Sequence, residues 1–126
     1  AVESLRGLSG LVGVVALTNA PEHGRSARLR WFARHGIDCP MIINEGPQGA
    51  AVGALAARTR GPSAFVDDLI PNLDSAADAA PAVHRFQLVA DERLRAHAPT
   101  SPLHTRIDDW RPLGGQLRAK LTTAAR

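Results

Sequence analysis

Two adjacent carboxylates, Asp67 and Asp68, close the apolar run Ser63-Ala64-Phe65-Val66. Neighbouring carboxylates repel each other and destabilise a fold unless a cation or hydrogen bonds offset them. A hard divalent ion with oxygen ligands, such as Mg²⁺, is one solution. The other is purely structural, with one carboxylate capping the helix that follows and the other solvated. Thr18-Asn19 follows a second apolar run, Leu11 to Leu17. A hydroxyl and an amide there can donate to phosphate oxygens, or form the turn that Pro21 continues. Gly46-Pro47-Gln48-Gly49 opens a helix. Its free amides suit an anion, although the segment lacks the spacing of a phosphate-binding glycine loop and also reads as a simple Pro-initiated helix start. Asp91 follows the run His84 to Ala90 and is either a further oxygen ligand for a cation or the start of a helix over Glu92 to His97.

These residues gain meaning from the elements that must carry them. Short apolar runs alternate with amphipathic stretches. Strands are expected at Leu11–Leu17, Met41–Ile43, Ser63–Val66 and His84–Ala90. Helices are expected near Val2–Leu8, at Arg25–His35, Pro47–Thr59 and Pro71–Ala80, and finally over Leu113, Leu117 and Leu121 at i, i+4, i+8. Ala98 to Pro112 reads as a proline-punctuated loop holding Trp110. Strands alternating with single helices imply an α/β fold with a mostly parallel sheet covered on both faces. Right-handed crossovers bring every strand's C-terminal end to one edge, where open α/β sheets bind ligands. Thr18, Asn19, Asp67, Asp68 and Asp91 all fall there.

Composition removes several function classes. The 126 residues are 44% hydrophobic and 21% charged, as in a globular chain with one core. No apolar run is long enough to span a bilayer, and no secretory signal is visible, so a cytoplasmic protein without a membrane partner is expected. Cys39 is the only cysteine, which excludes an internal disulfide and a cysteine-rich zinc site. The five histidines, His23, His35, His84, His97 and His104, show no metal-ligand spacing and read as surface or loop residues. No nucleophile-elbow pattern supports a Ser-His-Asp triad. A net charge of +3 with arginines at 25, 28, 30 and 34 around Trp31 makes a solvated helix face. Nucleic acid is not expected as a partner, because stacking aromatics are missing from that cluster.

Taken in order, Val15-Ala16-Leu17-Thr18-Asn19, Gly46-Pro47-Gln48-Gly49 and Phe65-Val66-Asp67-Asp68 resemble the motifs of the haloacid dehalogenase-like (HAD) phosphohydrolase superfamily. Leu88-Val89-Ala90-Asp91 and Asp108-Asp109-Trp110 read like a bacterial branch of that group. The resemblance covers nearly the whole chain. It implies a three-layer Rossmann-like core over residues 1–126 and a phosphorylated small-molecule substrate. It also implies a Mg²⁺-dependent reaction in which an aspartate takes the phosphoryl group and water hydrolyses the aspartyl-phosphate. Thr18, with Asn19 beside it, matches the residue that holds a phosphoryl oxygen. Asp67 and Asp68 match the acidic pair that binds Mg²⁺. Gln48 occupies the place of the usual lysine, whose charge steadies the transferring group.

Two departures accompany the resemblance. The family's Asp-x-Asp nucleophile belongs on a strand upstream of Thr18, yet Glu3 is the only carboxylate before Leu11. Gln48 offers a neutral amide, and the only lysine of the chain is Lys120. The chain opens in mid-helix without a methionine, so an N-terminally truncated domain is expected, inactive by itself. Unpaired sheet edges left by the missing strand would invite self-association. A HAD-type scaffold kept for binding rather than catalysis is the alternative.

Overall fold

A computed structural model describes residues 15–18, 30, 34, 41–43, 48–59, 61–89 and 91–122. The chain divides into two compact units, Ala1–Gly46 and Pro47–Arg126. In the first unit, β1 (Ala16–Thr18) pairs in parallel with β2 (Met41–Ile43), setting Thr18 opposite Ile43. The helices expected at Val2–Leu8 and Arg25–His35 lie outside the described residues, apart from Arg30 and Arg34, which are helical and exposed.

The second unit runs α1 (Gly49–Ala56), β3 (Ala64–Asp67), α2 (Ile70–Ala79), β4 (His84–Gln87), α3 (Glu92–Arg95), β5 (Thr105–Arg106) and α4 (Trp110–Thr122). Its three strands form one open parallel sheet in the order β3-β4-β5. The α/β reading therefore holds at this level. In the register, Asp67 stands opposite Gln87, and Gln87 opposite Arg106. All three strands thus end at one edge.

The core follows the sequence periodicities. Leu73 and Ala76 of α2 are completely buried, and α2 packs on β3 and β4. Phe86 and Val83 close the same core, and Leu113 and Leu117 bury one stripe of α4. Helix α1 seats on α2 through Gly49, whose N–H donates to Ser75 Oγ at 2.9 Å. A Cβ at Gly49 would run into the Ser75 carbonyl oxygen and hydroxyl, so glycine is required for this approach. Gly53 is different: a Cβ there would make only ordinary contact with Ala79.

The region expected to be one loop from Ala98 to Pro112 is more ordered than that. β5 adds to the sheet edge at Thr105–Arg106, and α4 starts at Trp110 rather than Leu113. Asp109 makes the start, accepting from the Arg111 N–H at 3.2 Å, and Pro112 fits the first turn, where no intrahelical N–H is needed. Strand β4 is shorter than the expected His84–Ala90. Leu88 still donates to the Asp67 carbonyl at 3.0 Å, but the Val89 N–H leaves the ladder for the Asp108 side chain.

Candidate functional site

Asp67 is the last residue of β3, and Asp68 is the first beyond it. The chain must turn here to enter α2, whose N-cap, Leu69, has no side chain that caps. Asp67 does that work. Its Oδ2 accepts from the Leu69 N–H at 2.9 Å and from Asn72 Nδ2 at 3.1 Å. Partial burial pushes the Asp67 carboxyl above the usual carboxylate range, and the neighbouring Asp68 charge adds to this; the hydrogen bonds from Leu69 and Asn72 oppose it. The Asp68 side chain is exposed. Its backbone is held instead, because buried Gln87 donates through Nε2 to the Asp68 carbonyl at 3.3 Å and to the Pro99 carbonyl at 2.8 Å. Among the described residues, no arginine or lysine forms an ion pair with either acid.

Both acids line an open cleft of about 380 Å³ at the C-terminal edge of the sheet. Val66, Leu88 and Val89 supply its apolar lining from the strand ends, and Leu94 of α3 and Trp110 of α4 complete it. Asp91 also faces this cleft, but it is committed elsewhere. Its Oδ1 caps α3 through the Arg93 N–H at 3.0 Å, and its Oδ2 pairs with Arg93 Nη2 at 2.9 Å. The Arg93 guanidinium holds the Asp91 carboxyl below its ordinary value. Asp91 is therefore the helix start, the second of the two roles its position offered. No group of three or more His, Cys, Asp or Glu among the described residues is arranged to hold a metal ion.

A polar brace fixes the far side of the cleft. Asp108 Oδ1 accepts from the Val89 N–H at 3.1 Å and from Arg106 Nε at 2.6 Å. Arg95 donates to the carbonyls of Val89 and Asp108 at 2.9 and 2.7 Å, and Arg106 to the carbonyl of Arg95 at 3.1 Å. The Arg106 hydrogen bond keeps Asp108 ionised to lower pH than a free carboxylate. Neither Gln87 nor this brace emerged from the sequence as functional support. The available signal was Gln87 itself, a single polar residue inside Phe86-Gln87-Leu88-Val89, since a buried amide needs partners.

The remaining site residues are placed less completely. Thr18 ends β1, and Asn19 lies outside the described residues, as do Asn44 to Pro47. Gln48 is the N-cap of α1, where it makes no side-chain cap. It is 4% exposed, and its Oε1 is a buried acceptor without a donor. His104, expected at the surface, is instead enclosed: Nε2 meets Asp74 Oδ1 at 2.8 Å, and Nδ1 accepts from Arg85 Nε at 3.2 Å. The loop position was legible, but its burial depends on partners 30 and 19 residues away. No helix among the described residues is long and apolar enough to cross a membrane. Set against known proteins, the chain matches no family model, no curated protein and no solved structure.

Proposed function

We propose that the chain is a HAD-like, Mg²⁺-dependent phosphohydrolase domain whose full reaction passes through an aspartyl-phosphate. Under this reading the β3-β4-β5 sheet belongs to a three-layer Rossmann-like core. The observation that carries it is the carboxylate pair at the end of β3. Asp67 and Asp68 stand on the rim of a cleft, at the ligand-binding edge of a parallel sheet, with no protein cation among the described residues to offset them.

Asp67 and Asp68 supply oxygen donors of the kind a hard divalent ion takes. Burial disfavours the charged form of Asp67, and Asp68 disfavours it further, which is the condition a bound dication relieves. Asp67 and Asp68 would hold Mg²⁺, and Asp91 would not, because Arg93 occupies it. Bound there, Mg²⁺ would supply positive charge that offsets the repulsion between a phosphate dianion and the carboxylates. The chain's own residues do the positioning. Leu69 and Asn72 fix the Asp67 carboxylate, and Gln87 fixes the Asp68 backbone. By the resemblance, Thr18 and Asn19 match the positions that hold phosphoryl oxygens, and Gln48 takes the helix-start position as a neutral donor.

A non-catalytic scaffold is the second reading, and Gln48 favours it. A buried neutral amide with an orphan oxygen cannot supply the charge that phosphoryl transfer draws on at this position. In the sequence Glu3 is the only carboxylate before Leu11, so both readings expect no turnover of p-nitrophenyl phosphate by the chain alone. Mg²⁺ titration followed by the amide shifts of Val66 to Asn72 separates them. Saturable shifts that Asp67→Asn and Asp68→Asn together abolish support the phosphohydrolase. Unchanged spectra overturn it and leave the scaffold.

A further inference from the structure

We infer that the cleft beside the acid pair is a subsite for an apolar, ring-sized group. Resting on the phosphohydrolase reading, that group is the alcohol part of the phosphomonoester. The inference starts from α3. This helix has no buried residue, and Glu92, Arg93 and Arg95 are charged. Its single large apolar side chain, Leu94, is 56% exposed and turns to the cleft. Leu94 therefore presents exposed hydrocarbon to the cleft.

The opposite lining agrees. Leu88 and Val89 are buried side chains at the end of β4, and Trp110 flanks them from the start of α4. Among the described lining residues, the polar side-chain groups are the three carboxylates and the Trp110 indole N–H. Asp91 is already matched by Arg93, which leaves Asp67 and Asp68 as the charged end of a site whose other described lining is apolar apart from the Trp110 indole N–H. A polyol would find hydrocarbon where its hydroxyls need partners. A ring finds van der Waals contact, and an anionic group attached to it reaches the acids only through a cation. The volume of about 380 Å³ suits one or two fused rings.

The test uses the full chain at one fixed Mg²⁺ concentration, with 1-naphthyl phosphate and glycerol 3-phosphate as probes and amide and indole shifts of Leu88 to Leu94 and Trp110 as readout. Naphthyl phosphate is expected to bind about tenfold more tightly than glycerol 3-phosphate. Leu94→Ala, an exposed position whose fold is checked by circular dichroism, should remove most of that preference and leave the Mg²⁺ titration unchanged. Equal affinities overturn the subsite while the phosphohydrolase reading stands. If 1-naphthol binds as tightly as its phosphate, with no dependence on Mg²⁺ or on Asp67→Asn, the subsite stands and the phosphohydrolase reading falls. Shifts that follow protein concentration instead of probe make this wall a contact between copies and overturn the inference.

Discussion

The two ends of the β3-β4-β5 sheet treat polar groups in opposite ways. At the end where β4 and β5 begin, His104 has a side chain with no exposure and is met on both nitrogens. Arg85 can only donate, so Nδ1 is the acceptor and the ring proton sits on Nε2, facing Asp74. Arg85 Nη1 donates to the carbonyls of Pro81 and Val83, at 3.1 and 3.0 Å, and Nη2 to the carbonyl of Leu103 at 3.5 Å. At the other end, Asp67 is half-buried and pushed up by burial, and Asp68 projects beside an open cleft. Asp67 is kept in part because it caps α2, and the exposed Asp68 carboxylate beside it is left facing solvent at the cleft. The contrast locates function by what the polar groups lack.

The sharpest challenge is His104→Ala. It removes both hydrogen bonds, leaves the Arg85 Nε without its acceptor and opens a cavity, so a stability loss of about 3 kcal/mol is expected in urea unfolding. Asp68→Ala, in the same assay, should change stability by less than about 0.5 kcal/mol because its side chain is exposed. A loss at Asp68 that rivals the loss at His104 would dissolve the distinction between the ends.

Asp108→Ala sharpens the comparison inside the open end. This carboxylate is a brace for the Val89 N–H and Arg106. Its removal should cost about 2 kcal/mol and shift the amides of Val89 and Arg95. Asp74→Asn tests the closed end more gently. The amide oxygen still accepts the His104 proton, so a loss of about 1 kcal/mol is expected, well short of the alanine effect at His104.

How much of this was readable differs between the ends for a physical reason. The acid pair was legible because its context is local: two charges directly after an apolar run mark the end of a strand, which here takes in Asp67. The periodicity of Leu113 and Leu117 marked α4 in the same way. β5 was not legible, since Thr105–Arg106 is a two-residue polar strand made by its neighbour β4 rather than by its own side chains. His104 was misjudged because a lone histidine in a proline-rich loop carries no sign of the arginine and aspartate that will enclose it. Gly46-Pro47-Gln48-Gly49 announced the start of α1, but Gly49 is needed for its close approach to Ser75, a tertiary requirement that the anion-site interpretation overlooked.

The smallest expected effect is also the one that joins the acid pair to its chemistry. Because the Asp67 carboxyl titrates above its ordinary value, the folded chain binds that proton more readily than the unfolded chain. Its contribution to stability therefore falls as pH rises from the ordinary carboxylate value through the raised one, and at neutral pH the charged form destabilises the fold. Asp67→Asn keeps an oxygen to accept from Leu69 and Asn72 while removing the charge. Its thermal midpoint should lie slightly above that of the parent at neutral pH, and the advantage should shrink in acid, where the parent carboxyl is protonated. Added Mg²⁺ should raise the parent midpoint at neutral pH and leave Asp67→Asn nearly unmoved. A variant less stable than the parent at neutral pH would mean that the Asp67 charge is compensated within the protein, and the case for a cation at the end of β3 would lose its physical basis.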